Sequence, residues 1–480
     1  MNGPRARGLN TGWKMGGFFG VVSENDCTEE VFYGTDYHSH LGTMRGGMAI
    51  RGPDGIDRVI HDITNAQFRS KFEDDVSGMS GSVGIGVISD YDDQPLIIGS
   101  HLGRYAIVTV GRIDNIHEIV RDVFRSRTGH FTEMAGGEVN PTEVVATLIN
   151  QEDSFTAGLT RAQEAIEGSC SVLLLTREGI YASRDRLGRT PVVIGRKPGS
   201  MAVSFETGAF PNLEYRFERE LGPGEIVLLT EDGAVTRKEP GKEMRICSFL
   251  WVYYGFPASN YQGINVEEAR NRCGACLAER DTVEVDMVAG VPDSGTGHAV
   301  GYANCAGIPY RRPFVKYTPT WPRSFMPQMQ STRDLVARMK LIPIRELIQD
   351  RRLLFCEDSI VRGTQLKDTV RRLFDAGASE VHMRPACPPL VFGCKYLNFS
   401  RSRSVLELAG RRAIKELEGE SSGVPEEYLD PDSAAYSEML ERIRKRLGLT
   451  TLAYQRLEDL VAAIGLPGES LCTYCFDGRE

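Results

Sequence analysis

Leu353–Gln365 reads LLFCEDSIVRGTQ, and this stretch decides how the second half of the chain folds. An apolar run of the kind a buried strand needs delivers two adjacent carboxylates, Glu357 and Asp358. A short loop follows with Ser359, Ile360, Val361, Arg362, Gly363 and Thr364, and a helix is predicted just after it. Successive backbone N–H groups at a helix N-terminus form an anion site, and hydroxyls add donors. Carboxylates at a strand end accept hydrogen bonds from a sugar diol or help hold Mg2+. Donors for a phosphate and acceptors for a sugar thus lie within one turn. An ordinary strand-to-helix turn with a solvated acidic pair would use the same residue types, so the surrounding sequence has to decide.

Upstream, AGVPDSGTGHAVGYA (Ala289–Ala303) repeats the pattern, with Asp293, Ser294, Gly295, Thr296 and Gly297 between a strand-like run and a helix-like one. Glycines let the backbone approach a pyrophosphate, and the hydroxyls reach its oxygens or a metal. VEVDMVAGV, HAVGYANCAG, RRLLFCEDS, LKDTVRRLFDAG and EVHMRPA alternate between strand and helix grammar from Ile246 onward. Such alternation implies a parallel sheet with its ligand at the carboxyl ends of the strands.

The first half reads differently. GGFFGVVS, SVGIGVIS, YAIVTVG, SVLLLT, GIYASRD, PVVIG and GEIVLLT are short apolar or alternating runs broken by Gly, Asp and Pro. They predict stacked sheets, with helices near Pro141–Asn150 and Ser154–Glu167. The boundaries are an N-terminal extension at 1–15, a β-rich domain at 16–245, the alternating domain at 246–418, and a linker with C-terminal helices at 419–480.

Composition narrows the function class. With 480 residues, 41% hydrophobic and 25% charged, the chain is an ordinary globular protein of two or three domains. A net charge of −9 argues against nucleic acid or an anionic membrane as partner. No apolar run reaches the length of a membrane span, and MNGPRARGLNTGWKMG lacks the apolar core of a secretory signal. A cytoplasmic protein is expected. Its 11 cysteines are then buried thiols, reactive thiols or metal ligands rather than disulfides. Cys273 and Cys276 sit in a helix-like stretch and are expected to be buried apolar residues, as are Cys170, Cys305 and Cys387.

DSIVRGT resembles the phosphoribosyl pyrophosphate (PRPP) signature of type I phosphoribosyltransferases in its amidophosphoribosyltransferase form, with Glu357 where the family usually has aspartate. The likeness runs from about Gly16 to Cys475. It implies an N-terminal-nucleophile sandwich of β-sheets with flanking helices, followed by a type I phosphoribosyltransferase parallel-sheet domain. PRPP would meet the loops 293–297 and 357–364, with Mg2+ on Ser294, Glu357 and Asp358. Lys316, Arg323 and Lys340 match the basic residues of a loop that closes over PRPP in the family.

The resemblance extends to the cysteines of iron–sulfur members: Cys247, Cys394, Cys472 and Cys475 occupy those places. Four thiolates suit a 4Fe–4S cluster, and zinc is the alternative. The glutaminase positions, in contrast, carry other residues. That chemistry needs an N-terminal cysteine whose own amine is the base, and Gly16 stands there. Val110–Gly111 replaces the oxyanion Asn-Gly pair, Ser89 a glutamine-binding Arg, and Pro141 an Asp. Cys27 is internal and has no free amine. The expectation is an enzyme of purine synthesis that makes 5-phosphoribosylamine from PRPP and ammonia, either free or supplied by a separate glutaminase. It would form a homo-oligomer. The alternatives are a PRPP transferase with another nucleophile and a non-catalytic PRPP-sensing subunit.

Overall fold

The computed structural model describes residues 16–480 apart from 91, 127–130, 133, 136–137, 317–340, 398–404 and 420–422. Two antiparallel sheets build the first half. The seven-stranded one runs in the order Arg216–Glu220, Val193–Lys197, Ser200–Ser204, Gly17–Ser23, Val83–Ser89, Arg45–Gly52, Gly55–Asp62. The six-stranded one runs Gly233–Lys238, Ile226–Thr230, Ile180–Ser183, Gly168–Leu175, Gly103–Ile113, Leu96–Ser100.

The strands alternate faces, which is why the sheets stack. Phe18, Val22, Ile85 and Val87 of one sheet pack on Val108, Leu173, Leu175 and Val227 of the other. The outer faces are covered by helices: Thr28–Asp36 and Phe68–Val76 on the first sheet, Pro141–Ile149 and Phe155–Ala165 on the second. Asn140 and Ser154 cap the latter two helices with side-chain oxygens, each satisfying an otherwise orphaned N–H.

The second half holds a parallel sheet ordered Met287–Gly290, Arg352–Glu357, Glu380–Pro385, Thr451–Leu452. Its first three strands are buried on both faces, as parallel strands covered by helices are. The fourth strand comes from the C-terminal segment, between the helices Ala434–Leu447 and Leu457–Ile464. Near the chain end, Leu471–Cys472 pairs in parallel with Ile246–Cys247, so Cys472 lies opposite Cys247.

One expectation is corrected: Cys305 is exposed, near the C-terminal end of the helix Gly295–Ala306, whose inner face is carried by Ala299, Tyr302 and Ala303. Cys170, Cys273 and Cys387 are buried and Cys276 is half-buried. No helix among the described residues is long and apolar enough to cross a membrane.

Candidate functional site

Both predicted loops leave neighbouring parallel strands. Gly290 pairs in register with Cys356, so the turn after Gly290 and the turn after Glu357 open side by side. Each leads into a helix, Gly295–Ala306 and Thr364–Asp375, and their N-termini turn orphan N–H groups toward the sheet edge. Gly295 is required by the closeness of the two turns: a Cβ there would lie 2.4 Å from the Cys356 carbonyl oxygen. The Val291 N–H donates to that same carbonyl at 2.9 Å.

The side chains then join the loops. Ser294 Oγ donates to Asp358 across 2.5 Å, and Ser359 Oγ donates to its other carboxylate oxygen at 2.7 Å. Burial, and then the neighbouring charge of Asp358, push the Glu357 carboxyl well above its ordinary range. An acidic pair so close gains from a divalent cation, which removes the repulsion. Lys316 forms an ion pair with Asp293 at the rim. Ile360 is buried in the core, and Val361 packs against apolar side chains while its carbonyl accepts the Ala409 N–H at 2.7 Å. Arg362 pairs with Glu407 at 2.8 Å. Arg323 and Lys340 lie outside the described residues.

Beside the upstream loop lies a cavity of about 470 Å3 lined by His40, Tyr253, Tyr254, Phe256, Arg270, Asp293, Ser294 and Lys316. It sits where the two halves meet. Arg270 is buried and donates to the carbonyls of Trp251, Tyr253 and Gly255 at 2.9, 3.0 and 3.0 Å. Glu206, 2% exposed, accepts from Tyr261 OH at 2.5 Å and Ser259 Oγ at 3.1 Å, and pairs with His40 at 3.1 Å. Burial pushes its carboxyl up, but His40, His38 and Tyr261 outweigh that and hold it at about 2. Neither residue was singled out from sequence. An Arg on the otherwise small-residue face of VEEARNRCGACLAE (Val266–Glu279) was the available signal for Arg270.

The glutaminase-like positions come together as well, around a closed polar knot. Asp92 is buried and accepts from Thr142 Oγ1 at 2.7 Å, Gln94 Nε2 at 3.0 Å and Ser89 Oγ at 3.3 Å. Gln94 also exchanges bonds with the backbone of Thr109, and the Thr109 and Thr142 hydroxyls meet at 2.7 Å. Pro141 and Val110 thus flank one filled site. Val110 is 2% exposed and Gly111 continues its strand. Gly16 has φ +90°, and a Cβ on it would lie 2.6 Å from the Ile88 carbonyl oxygen. A cysteine side chain has neither the backbone conformation nor the room at that position. Cys27 is 1% exposed, with burial raising its thiol far above the ordinary range, so it is not a ready thiolate.

Four cysteines converge at the junction. Cys247 and Cys472 lie opposite each other across the strand pair. The Cys475 carbonyl accepts from Val391 and Phe392, three and two residues before Cys394. Burial pushes the Cys247, Cys394 and Cys475 thiols up, and neighbouring members of the set push them further. Among the described residues no group of three or more His, Cys, Asp or Glu is arranged to hold a metal ion. Four thiolates are a donor set that either zinc or a 4Fe–4S cluster takes.

Comparison with known proteins agrees with this layout. Residues 82–212 match the family model described as a glutamine amidotransferase domain. An amidophosphoribosyltransferase of Methanocaldococcus jannaschii is 28% identical over 97% of this chain and 97% of its own length. That of Mycobacterium tuberculosis is 30% identical over 98% of this chain and 87% of its own. Among solved structures, the glutamine PRPP amidotransferase of Bacillus subtilis complexed with ADP and GMP superposes with a TM-score of 0.83. It is 27% identical, and the match covers 96% of each chain. Fold and loops together define a type I phosphoribosyltransferase sheet joined to an N-terminal-nucleophile sandwich. The chain belongs to the amidophosphoribosyltransferase family.

Proposed function

We propose that this chain forms 5-phosphoribosylamine from PRPP and ammonia in purine synthesis, and that it does not use glutamine. The observation carrying the first part is the Ser294–Asp358 contact, which ties two helix N-termini into one polyanion-binding edge. On this reading the backbone N–H groups of 359–364 hold the 5′-phosphate, Glu357 and Asp358 the ribose diol, and 293–297 the pyrophosphate. Lys316, with Arg323 and Lys340, neutralises the leaving group. Mg2+ fits Ser294, Glu357 and Asp358, the hard oxygen donors it prefers, and would supply charge neutralisation of the pyrophosphate.

Ammonia bonds to C1 as the C1–O bond to pyrophosphate breaks and its electron pair leaves with the pyrophosphate. The attacking nitrogen then gives up a proton. Fixed donors around the departing oxygens stabilise the charge that develops there. The cavity between the halves leads the nucleophile to this edge from solution or from a separate glutaminase.

The second part rests on Gly16. A glutaminase needs a thiol and a free amine at one residue, and the backbone there admits no side chain. Residues 16–245 then serve as scaffold for the transferase unit at 246–418. The segment 419–480 completes the sheet and supplies two of the four cysteines. That all-sulfur set, with Cys247 and Cys475 buried and Cys394 and Cys472 half-buried, suits a 4Fe–4S cluster. We also expect a homo-oligomeric, cytoplasmic enzyme.

Turnover of PRPP with Mg2+, read as pyrophosphate release, tests the proposal. Ammonium should support it and glutamine should not. Release only with another amine would point to a different transferase, and binding without turnover to a sensing subunit.

A further inference from the structure

Taking as given the cluster reading above, we propose that Arg189 is a positioning residue for the iron–sulfur cluster, through which the first half of the chain grips two of the four ligands. Its carbonyl accepts the Cys247 N–H at 3.1 Å, Cys247 lies opposite Cys472, and against the effect of burial the Arg189 charge favours the Cys472 thiolate. Both effects come from one turn, LGRT (Leu187–Thr190), in a half of the molecule that contributes no cysteine ligand.

The turn is built to hold that arginine still. Asp185 accepts the Arg189 N–H at 3.0 Å and both the N–H and hydroxyl of Thr190 at 2.9 Å. Arg189 is 5% exposed, and its guanidinium carbon lies 3.5 Å from the centre of the Tyr396 ring. Tyr396 in turn meets Tyr474 edge-on at 5.4 Å. Arg189 Nε has no hydrogen-bond partner. A buried cation so thinly paired is costly unless negative charge stands beside it. The carboxylate of Asp185 is already committed to the turn and that of Glu480, on the same cavity, to Lys395, whereas four thiolates leave a bound cluster net negative.

Arg189 and Tyr396 also line a cavity of about 310 Å3, so they stand between open space and Cys472. A second arginine of the same half, Arg112, donates to the Cys394 carbonyl at 2.7 Å.

Charge and hydrogen bonds to the sulfurs set cluster potentials, as does access of solvent. A fixed cation favours the more negative, reduced state, so Arg189 raises the midpoint potential and shields the cluster. The test uses the full chain purified without oxygen, as parent, Arg189→Gln and Arg189→Lys. Iron content, the midpoint from a redox titration followed by electron paramagnetic resonance, and the rate of bleaching in air are measured. All three should carry about four irons per chain. The Gln variant should show a lower midpoint and bleach several-fold faster, with the Lys variant nearer the parent in midpoint. A fully loaded Gln variant with the parent's midpoint and bleaching rate would overturn the role of Arg189 alone. A parent that takes up no iron would overturn the cluster reading and this proposal together.

Discussion

Ser294 and Asp358, carried by different turns after neighbouring strands, are held 2.5 Å apart by a hydroxyl-to-carboxylate hydrogen bond. Ser294 is also the N-cap of the helix Gly295–Ala306, yet its hydroxyl bonds to no N–H of that helix. An N-cap contact is worth about 1 kcal/mol. Here the hydroxyl bridges the two loops instead.

Asp358→Asn should therefore weaken PRPP binding in the presence of Mg2+ by about 1–3 kcal/mol, because a charged acceptor shared by two hydroxyls is lost. Isothermal calorimetry gives the number directly. Parent-like affinity in that variant would take Asp358 out of the site.

Glutamine should yield no glutamate above background, and a glutamine-analogue electrophile should leave Cys27 unlabelled. Gly16→Cys should not restore hydrolysis. It should instead lower stability, since its Cβ would press on the Ile88 carbonyl at 2.6 Å from a left-handed backbone. A gain of glutaminase activity in this variant would refute the account of the first half.

Protein purified without oxygen should be brown, with about four irons per chain. Cys472→Ser should bleach it and lower the midpoint of thermal unfolding, because Cys472 lies in the strand pair that closes the junction. Colourless anaerobic protein, or protein holding zinc, would remove the cluster.

The two loops proposed to bind PRPP were legible because their chemistry and their local structure are the same thing: a strand, a Gly- and hydroxyl-bearing turn, and a helix start. The strand pair Arg45–Gly52 and Gly55–Asp62 was not, because its first member carries glycines and its second is half exposed, which blurs a two-residue period. Glu206, Arg270 and Arg189 could not be placed either. Their partners come from remote segments, and nothing local marks a charged residue as buried. The knot at Asp92, Gln94, Thr109 and Thr142 shows the converse. The resemblance marks Ser89, Val110 and Pro141 as proposed glutaminase positions, but nothing in the sequence announces the hydrogen-bonded cluster around them.

Acid should destabilise the fold in a defined window. His38 is 1% exposed with Nδ1 2.8 Å from the Gly34 carbonyl, and burial brings its pKa from 6.5 to about 4. Between those values the unfolded chain binds a proton that the folded one does not, so stability rises with pH. It is fully present above 6.5, falls as pH drops toward 4, and amounts to about 3 kcal/mol on the linkage scale. Glu206, held at about 2 against an ordinary 4.5, extends the loss below that window. Thermal midpoints measured across pH 4–6.5 should show this slope, and His38→Gln should reduce it, leaving the share of the likewise buried His298, whose pKa burial brings to about 3. An unchanged slope in that variant would assign the window to other groups.

Ser248 and Cys472, which share a backbone and a side-chain hydrogen bond, are 224 positions apart in the chain. Synthesis runs from the N-terminus, and domains fold as units while later ones are still emerging. The two sheets of the first half can therefore be complete long before the strand Ile246–Cys247 has anything to pair with. Its partner, Leu471–Cys472, is synthesised only after the whole parallel-sheet domain: Cys472 comes 224 positions after Ser248. The joint is thus sealed late, which makes it the step at which an incompletely matured chain would present an open seam to chaperones and proteases.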